Sequence, residues 1–91
     1  MKKLIEENYK SIVKRGLINE DTSAMDFLLK IREEVDEFEY EIYHFNNNGT
    51  SNENEELADI ILTCLNFARH YNIDIEKELK NKIRKNETRK D

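Results

Sequence analysis

The chain has 91 residues, of which 37% are apolar and 38% charged, and its formal net charge is −5. That acidic balance excludes a general nucleic-acid binder, whose affinity comes from neutralising phosphates. A single cysteine, Cys64, excludes an intramolecular disulfide, and no stretch is long and apolar enough to span a bilayer. Glu6 and Glu7 stand where a secretory signal needs an apolar run, so the expected location is cytoplasmic.

A chain of this length makes one domain, 1–91, with a small core. Low apolar and high charged content fits either disorder or a helical protein that finishes its core on copies of itself. The absence of Pro, only two Gly, and abundant Glu, Lys, Leu and Ile favour helices. The expected fold is therefore all-α: a four-helix, bundle-like subunit completed by homo-oligomerisation.

The first helix is expected over roughly Lys2 to Arg15, with Leu4, Ile5, Ile12 and Val13 on one side and Gly16 as its stop. A connector of about Leu17 to Thr22 leads to a cap at Asp21, Thr22 or Ser23. The second helix runs to about Phe45, and Leu28, Ile31, Val35, Phe38, Ile42 and Phe45 alternate in steps of three and four, a seam for another helix. Residues 46–52, NNNGTSN, form a loop. The third helix spans about Asn54 to Tyr71 and is apolar nearly all round, as in a buried helix. After a break at Asn72, Asp74 caps a fourth helix whose inner face is Ile75, Leu79 and Ile83.

Two acidic pairs are of interest, Glu34 with Glu37 and Glu56 with Asp59. Acids three apart project from one helix face, and two such helices can gather four carboxylates around a cation. All-oxygen ligands suit Mg²⁺, or Mn²⁺, better than Zn²⁺. Spacing alone carries no weight, however: twenty acids in this length give about four such pairs by chance, and the chain has five. The third helix is more informative. At about 100° per residue, Glu56, Asp59, Thr63, Asn66 and His70 share one strip roughly 80° wide. Ile60 and Phe67 border the strip on one side and Leu62 on the other. A narrow polar strip cut into an apolar cylinder lines a site, because acids buried without partners are costly. On the second helix Glu34 lies beside the seam, Glu37 and Glu41 adjoin it, and Glu33 points outward.

The last helix carries Lys82, Lys85, Asn86 and Arg89 at helical spacings. Cations near a helix C-terminus are favourable against its dipole. Beside a metal cluster, the same groups are suited to holding a polyphosphate. Cys64 reads as a buried thiol, His44 and His70 as polar surface residues, and Tyr40, Tyr43, Phe45 and Tyr71 as packing or as stacking partners for a base.

EEVDE (33–37) and ELAD (56–59) resemble the EExxE…ExxD signature of the MazG-like all-α NTP pyrophosphohydrolases. Lys30, and the run from Lys82 through Asn86 to Arg89, are similar to basic positions of that family. The motif-bearing core spans about 25–89. The resemblance implies a dimer or a dimer of dimers and Mg²⁺-dependent cleavage of the α–β phosphoanhydride of nucleoside triphosphates. It implies Glu34, Glu37, Glu56 and Asp59 as metal ligands, and Glu33 with Glu34 as catalytic acids. Lys30, Lys82, Lys85, Asn86 and Arg89 would then bind substrate, the tail residues from the same or a neighbouring subunit. Two alternatives stand beside it. Phosphoribosyl-ATP pyrophosphohydrolases share the motifs, but Arg32 stands where that branch usually has Gly. A non-catalytic helical dimerisation module explains the seam but not the polar strip.

Overall fold

The computed structural model describes residues 1–48 and 52–89, with side chains described outside 45–48. The described residues form four helices and no strand: α1 (Lys2–Lys14), α2 (Ala24–Asn48), α3 (Glu53–His70) and α4 (Ile75–Glu87). α1 and α2 both pack on α3, and α4 packs extensively on none of them.

The helix ends follow local chemistry. α1 closes at Gly16, whose φ of +75° is open to a residue without a Cβ. Gly16 N–H bonds to Val13 O at 2.9 Å and Leu17 N–H to Ile12 O at 3.1 Å, the paired bonds of a Schellman motif. Asn72 repeats the motif at the end of α3 with a φ of 55°, while Ile73 N–H bonds back to Ala68 O at 2.8 Å. Ser23 caps α2 reciprocally: Asp26 N–H donates to Ser23 Oγ at 3.1 Å, and Ser23 N–H to Asp26 Oδ2 at 2.8 Å. The bond from Ser23 N–H first, and then one from the Ser23 hydroxyl, hold the exposed Asp26 carboxyl below its ordinary pKa. Asp74 accepts from Lys77 N–H and caps α4.

α2 continues past Phe45 to Asn48, because a helix already formed extends cheaply even through Asn. Of the expected loop 46–52, residues 49–51 lie outside the described residues, and Asn52 stands at the N-cap position of α3 without a side-chain cap bond. The seam is rotated from the expected one. Phe27, 3% exposed, is buried, as is Glu34, and Ile31, Phe38 and Glu41 are half-buried, whereas Leu28, Val35 and Ile42 are exposed. Phe27 decides the rotation, since it meets Phe67 edge-on at 5.6 Å and His70 at 5.0 Å. The side chain of Phe45 lies outside those described.

α3 is not buried all round. Thr63, Leu65, Asn66 and Ala68 are buried, but Leu57, Ile61 and Cys64 are exposed, so Cys64 is not a core thiol. Partial desolvation still raises its pKa. On α1, Ile5 and Ile12 are half-buried while Leu4 and Val13 are exposed. The expected inner face of α4 is open as well, with Leu79 and Ile83 exposed and Ile75 half-buried. Among the described residues the only buried apolar side chains are Ile18, Phe27, Leu65 and Ala68.

The Ser23–Asp26 pair gives a direct test. Ser23→Ala should cost about 1 kcal/mol in chemical denaturation at neutral pH. Asp26 has a lowered folded pKa, so its contribution is present above the unfolded carboxylate pKa and lost as pH falls through the folded one. The difference between wild type and Ser23→Ala should therefore shrink in acid.

Candidate functional site

Burial of Glu34 in the α2–α3 seam brings it to the acidic start of α3. One carboxylate oxygen from each of Glu34, Glu56 and Asp59 lies within 4.8 Å of the others. Glu34 is 6% exposed, Glu56 half-buried and Asp59 exposed. Glu34 Oε1 receives Lys30 Nζ at 3.1 Å, one helical turn away. Its Oε2 and the Oε2 of Glu56 are buried without a hydrogen-bond partner. Crowded, desolvated carboxylates repel each other and lose hydration, and a divalent cation removes both costs. Three oxygen donors suit a hard cation such as Mg²⁺, Mn²⁺ or Ca²⁺.

The other acids are arranged differently. Glu37 is exposed and lies outside the group of three, although its charge joins those of Glu34 and Glu33 at Lys30. Glu33 points outward and takes a second contact from Lys30 Nζ at 3.6 Å. The hydrogen bond to Glu34 is the main cause that raises the Lys30 pKa, so the ammonium is firmly protonated. Glu53 has a buried, unpartnered Oε2 but does not join the group. Glu41 accepts Asn52 N–H at 3.2 Å and so ties α2 to the start of α3.

A cleft of about 680 Å³ opens beside the acids. Glu33, Glu34, Lys30 and Asp59 line it together with Arg15 and Asp26, and Ile12, Ile18, Phe27 and Leu62 are among its apolar walls. Its volume is in the range of small-ligand sites. The polar strip of α3 divides here. Thr63 Oγ1 bonds back to Asp59 O at 2.8 Å, Asn66 Oδ1 accepts Asn8 Nδ2 at 2.6 Å, and His70 Nδ1 pairs with Tyr9 Oη at 2.8 Å. His70 is thus a half-buried packing residue, not a surface one. His44 is half-buried on α2, where it stacks on Tyr40 at 4.1 Å.

Lys82, Lys85, Asn86 and Arg89 are exposed on α4 or just beyond it, and none lines the cleft. Arg89 Nη1 bonds to Asn86 Oδ1 at 3.3 Å. Within the one chain this basic group does not line the cleft that opens beside the acids.

Residues 22–91 match the MazG nucleotide pyrophosphohydrolase domain. The chain belongs to that family. No curated protein and no solved structure matches it. The MazG match begins immediately before α2, so it contains every acid of the group and leaves α1 outside. Asn8 and Tyr9, on α1, are the partners that sequence reasoning passed over. Their signal was present: Asn8 sits between Ile5 and Ile12 at steps of three and four, a polar residue on an apolar stripe.

Removing one crowded carboxylate should relieve repulsion in the metal-free protein. Glu56→Gln should melt about 4 °C higher than wild type in chelator, by differential scanning fluorimetry, and should lose the stabilisation that Mg²⁺ or Mn²⁺ gives the wild type. A variant that melts lower and still responds to metal would show that these acids are not a cation site.

Proposed function

We propose that the protein is a Mg²⁺-dependent nucleoside triphosphate pyrophosphohydrolase that cleaves the α–β phosphoanhydride to a nucleoside monophosphate and pyrophosphate. The observation that carries this reading is the convergence of Glu34, Glu56 and Asp59, with two buried unpartnered oxygens, inside the MazG-matched segment. In this reading these three are ligands, and Glu37, one turn beyond Glu34, adds a fourth acid at the rim. A bound Mg²⁺ supplies charge neutralisation for the phosphates. Water oxygen bonds to the α-phosphorus as its bond to the α–β bridging oxygen breaks, and pyrophosphate leaves. A carboxylate receives the water's proton. Glu33 is the acid best placed for that, since it lies outside the group of three and lines the cleft; Glu34 orients the site from within. Lys30, already at Glu33 and Glu34, offers its ammonium to a phosphate oxygen.

The basic group on α4 completes the proposal through a second copy. α4 leaves Leu79 and Ile83 exposed, and α2 and α3 leave Leu28, Val35, Ile42, Leu57 and Ile61 exposed. So much open apolar surface on so small a core calls for a partner. Pairing in a dimer or tetramer would let Lys82, Lys85, Asn86 and Arg89 hold the phosphates of a neighbouring site. No described helix is long and apolar enough to cross a membrane, and the cytoplasm is where such substrates are abundant. A purely structural dimerisation module accounts for the open apolar faces but leaves the buried orphan oxygens of Glu34 and Glu56 unexplained.

Purified protein with Mg²⁺ should release pyrophosphate, not orthophosphate, from members of a panel of ribo- and deoxyribonucleoside triphosphates. Asp59→Asn should lower kcat/KM by about 100-fold or more, some 2.7 kcal/mol of barrier, with an unchanged circular dichroism spectrum. Light scattering should give a mass at least twice that of one chain. A folded preparation that releases no pyrophosphate from any triphosphate in the panel would refute the catalytic reading.

A further inference from the structure

α1 contributes Asn8 and Ile12 to a cleft otherwise lined from the connector, α2 and α3. Asn8 Nδ2 donates to Asn66 Oδ1 at 2.6 Å and lies 3.4 Å from the carbonyl oxygen of Leu62. That carbonyl can only accept, which sets the Asn8 amide with its nitrogen toward α3. Asn66 must then turn its oxygen to Asn8. The arrangement leaves Asn8 Oδ1 to accept and Asn66 Nδ2 to donate, on two joined residues that both line the cleft. Asn66 is buried and Asn8 half-buried, so water competes poorly for these atoms.

We infer that the Asn8–Asn66 amide pair reads the edge of the substrate's base, and that α1, outside the family-matched segment, is the specificity element of this protein. The inference rests on the nucleotide reading above and adds which part of the substrate the cleft takes. Three observations support it. One acceptor and one donor, on residues joined by a hydrogen bond, match in kind the donor–acceptor edge that a nucleobase presents. Ile12, Ile18, Phe27 and Leu62 give the cleft apolar walls suited to the faces of a heterocycle. Asp59 and Asn66 stand two turns apart on one face of α3, a rise of about 10 Å, on the scale of a nucleoside from base edge to 5′ phosphate. A base at the amide pair therefore leaves its phosphates beside Glu34, Glu56 and Asp59. A site built to pair a base edge discriminates more strongly than apolar contact, because a mismatched ligand leaves buried polar atoms unpaired.

Asn66→Asp isolates the point. It keeps the oxygen that Asn8 Nδ2 needs and replaces the free donor with an acceptor, adding a negative charge whose effect on the phosphates the ratio to a base-free triphosphate cancels. Two readouts apply, one of them independent of catalysis. In metal-free buffer, at least one of uridine, cytidine, adenosine and guanosine should raise the melting temperature of the wild type, and that shift should vanish in Asn66→Asp. With Mg²⁺, the kcat/KM of the preferred triphosphate relative to ribose 5-triphosphate, which lacks a base, should fall about tenfold in the variant. A folded variant whose ratio and nucleoside response stay within about twofold of wild type would overturn the inference while leaving pyrophosphohydrolase activity intact. Failure of catalysis with every triphosphate would instead refute the proposed function, and nucleoside binding would still decide this point. Should Asn66→Asp not fold, the side-chain amide resonances of Asn8 and Asn66 in the wild type give the answer. Shifts on adding the stabilising nucleoside support the assignment; no shift with any of the four overturns it.

Discussion

Glu34 brings a carboxylate into the seam between α2 and α3, between turns where Ile31 and Phe38 are half-buried. Much of the subunit's local design answers to that placement. A buried acid without partners costs several kcal/mol or shifts its protonation. Lys30 offsets part of this from the preceding turn, using only one of the two oxygens. Glu56 and Asp59 arrive from α3 and add to the cost. Polar groups so disposed weaken a core, and natural proteins keep such arrangements where chemistry needs them. Glu41, at the next seam position, shows the ordinary alternative: its carboxylate meets the Asn52 N–H and ties α2 to the start of α3.

Much of this was legible in the sequence, for reasons that differ from one element to the next. Gly16, Ser23 and Asp74 mark helix ends because the required backbone angle or cap bond depends on residue type alone. The strip from Glu56 to His70 was visible because periodicity projects directly onto a helix face. What periodicity could not supply was the angle at which α2 meets α3. Ile31 and Phe38 belong to both the expected and the observed seam, and the choice between Leu28 and Phe27 was made by an aromatic cluster with Phe67, His70 and Tyr71. That tertiary contact turned Glu34 fully inward and left Glu37 exposed. The reach of the α4 cations was equally out of view, since sequence order says nothing about where a detached helix points.

The open faces of α2, α3 and α4 form a second layer of organisation. Among the described residues the buried apolar side chains lie in the connector, α2 and α3, while large apolar side chains remain exposed on every helix. A helix that alternates Ile75, Leu79 and Ile83 with Lys and Glu is patterned for packing. Within the one chain that pattern is left open, with Leu79 and Ile83 exposed.

α1 is held to α3 largely by polar contacts: Asn8 with Asn66, Tyr9 with His70, and Glu6 with Arg69, whose guanidinium also lies 4.7 Å from the centroid of the Tyr9 ring. Elements joined by few buried apolar contacts open at lower free energy than the global transition, and α1, with no buried residue, is such an element. It is also one wall of the cleft. A ligand that spans from α1 to α3 would tighten that wall, and the entropy lost in doing so would be subtracted from its affinity. The attachment of α1 thus sets an exchange between speed and strength. A loosely docked wall admits and releases small molecules quickly, at the expense of how tightly it can hold them.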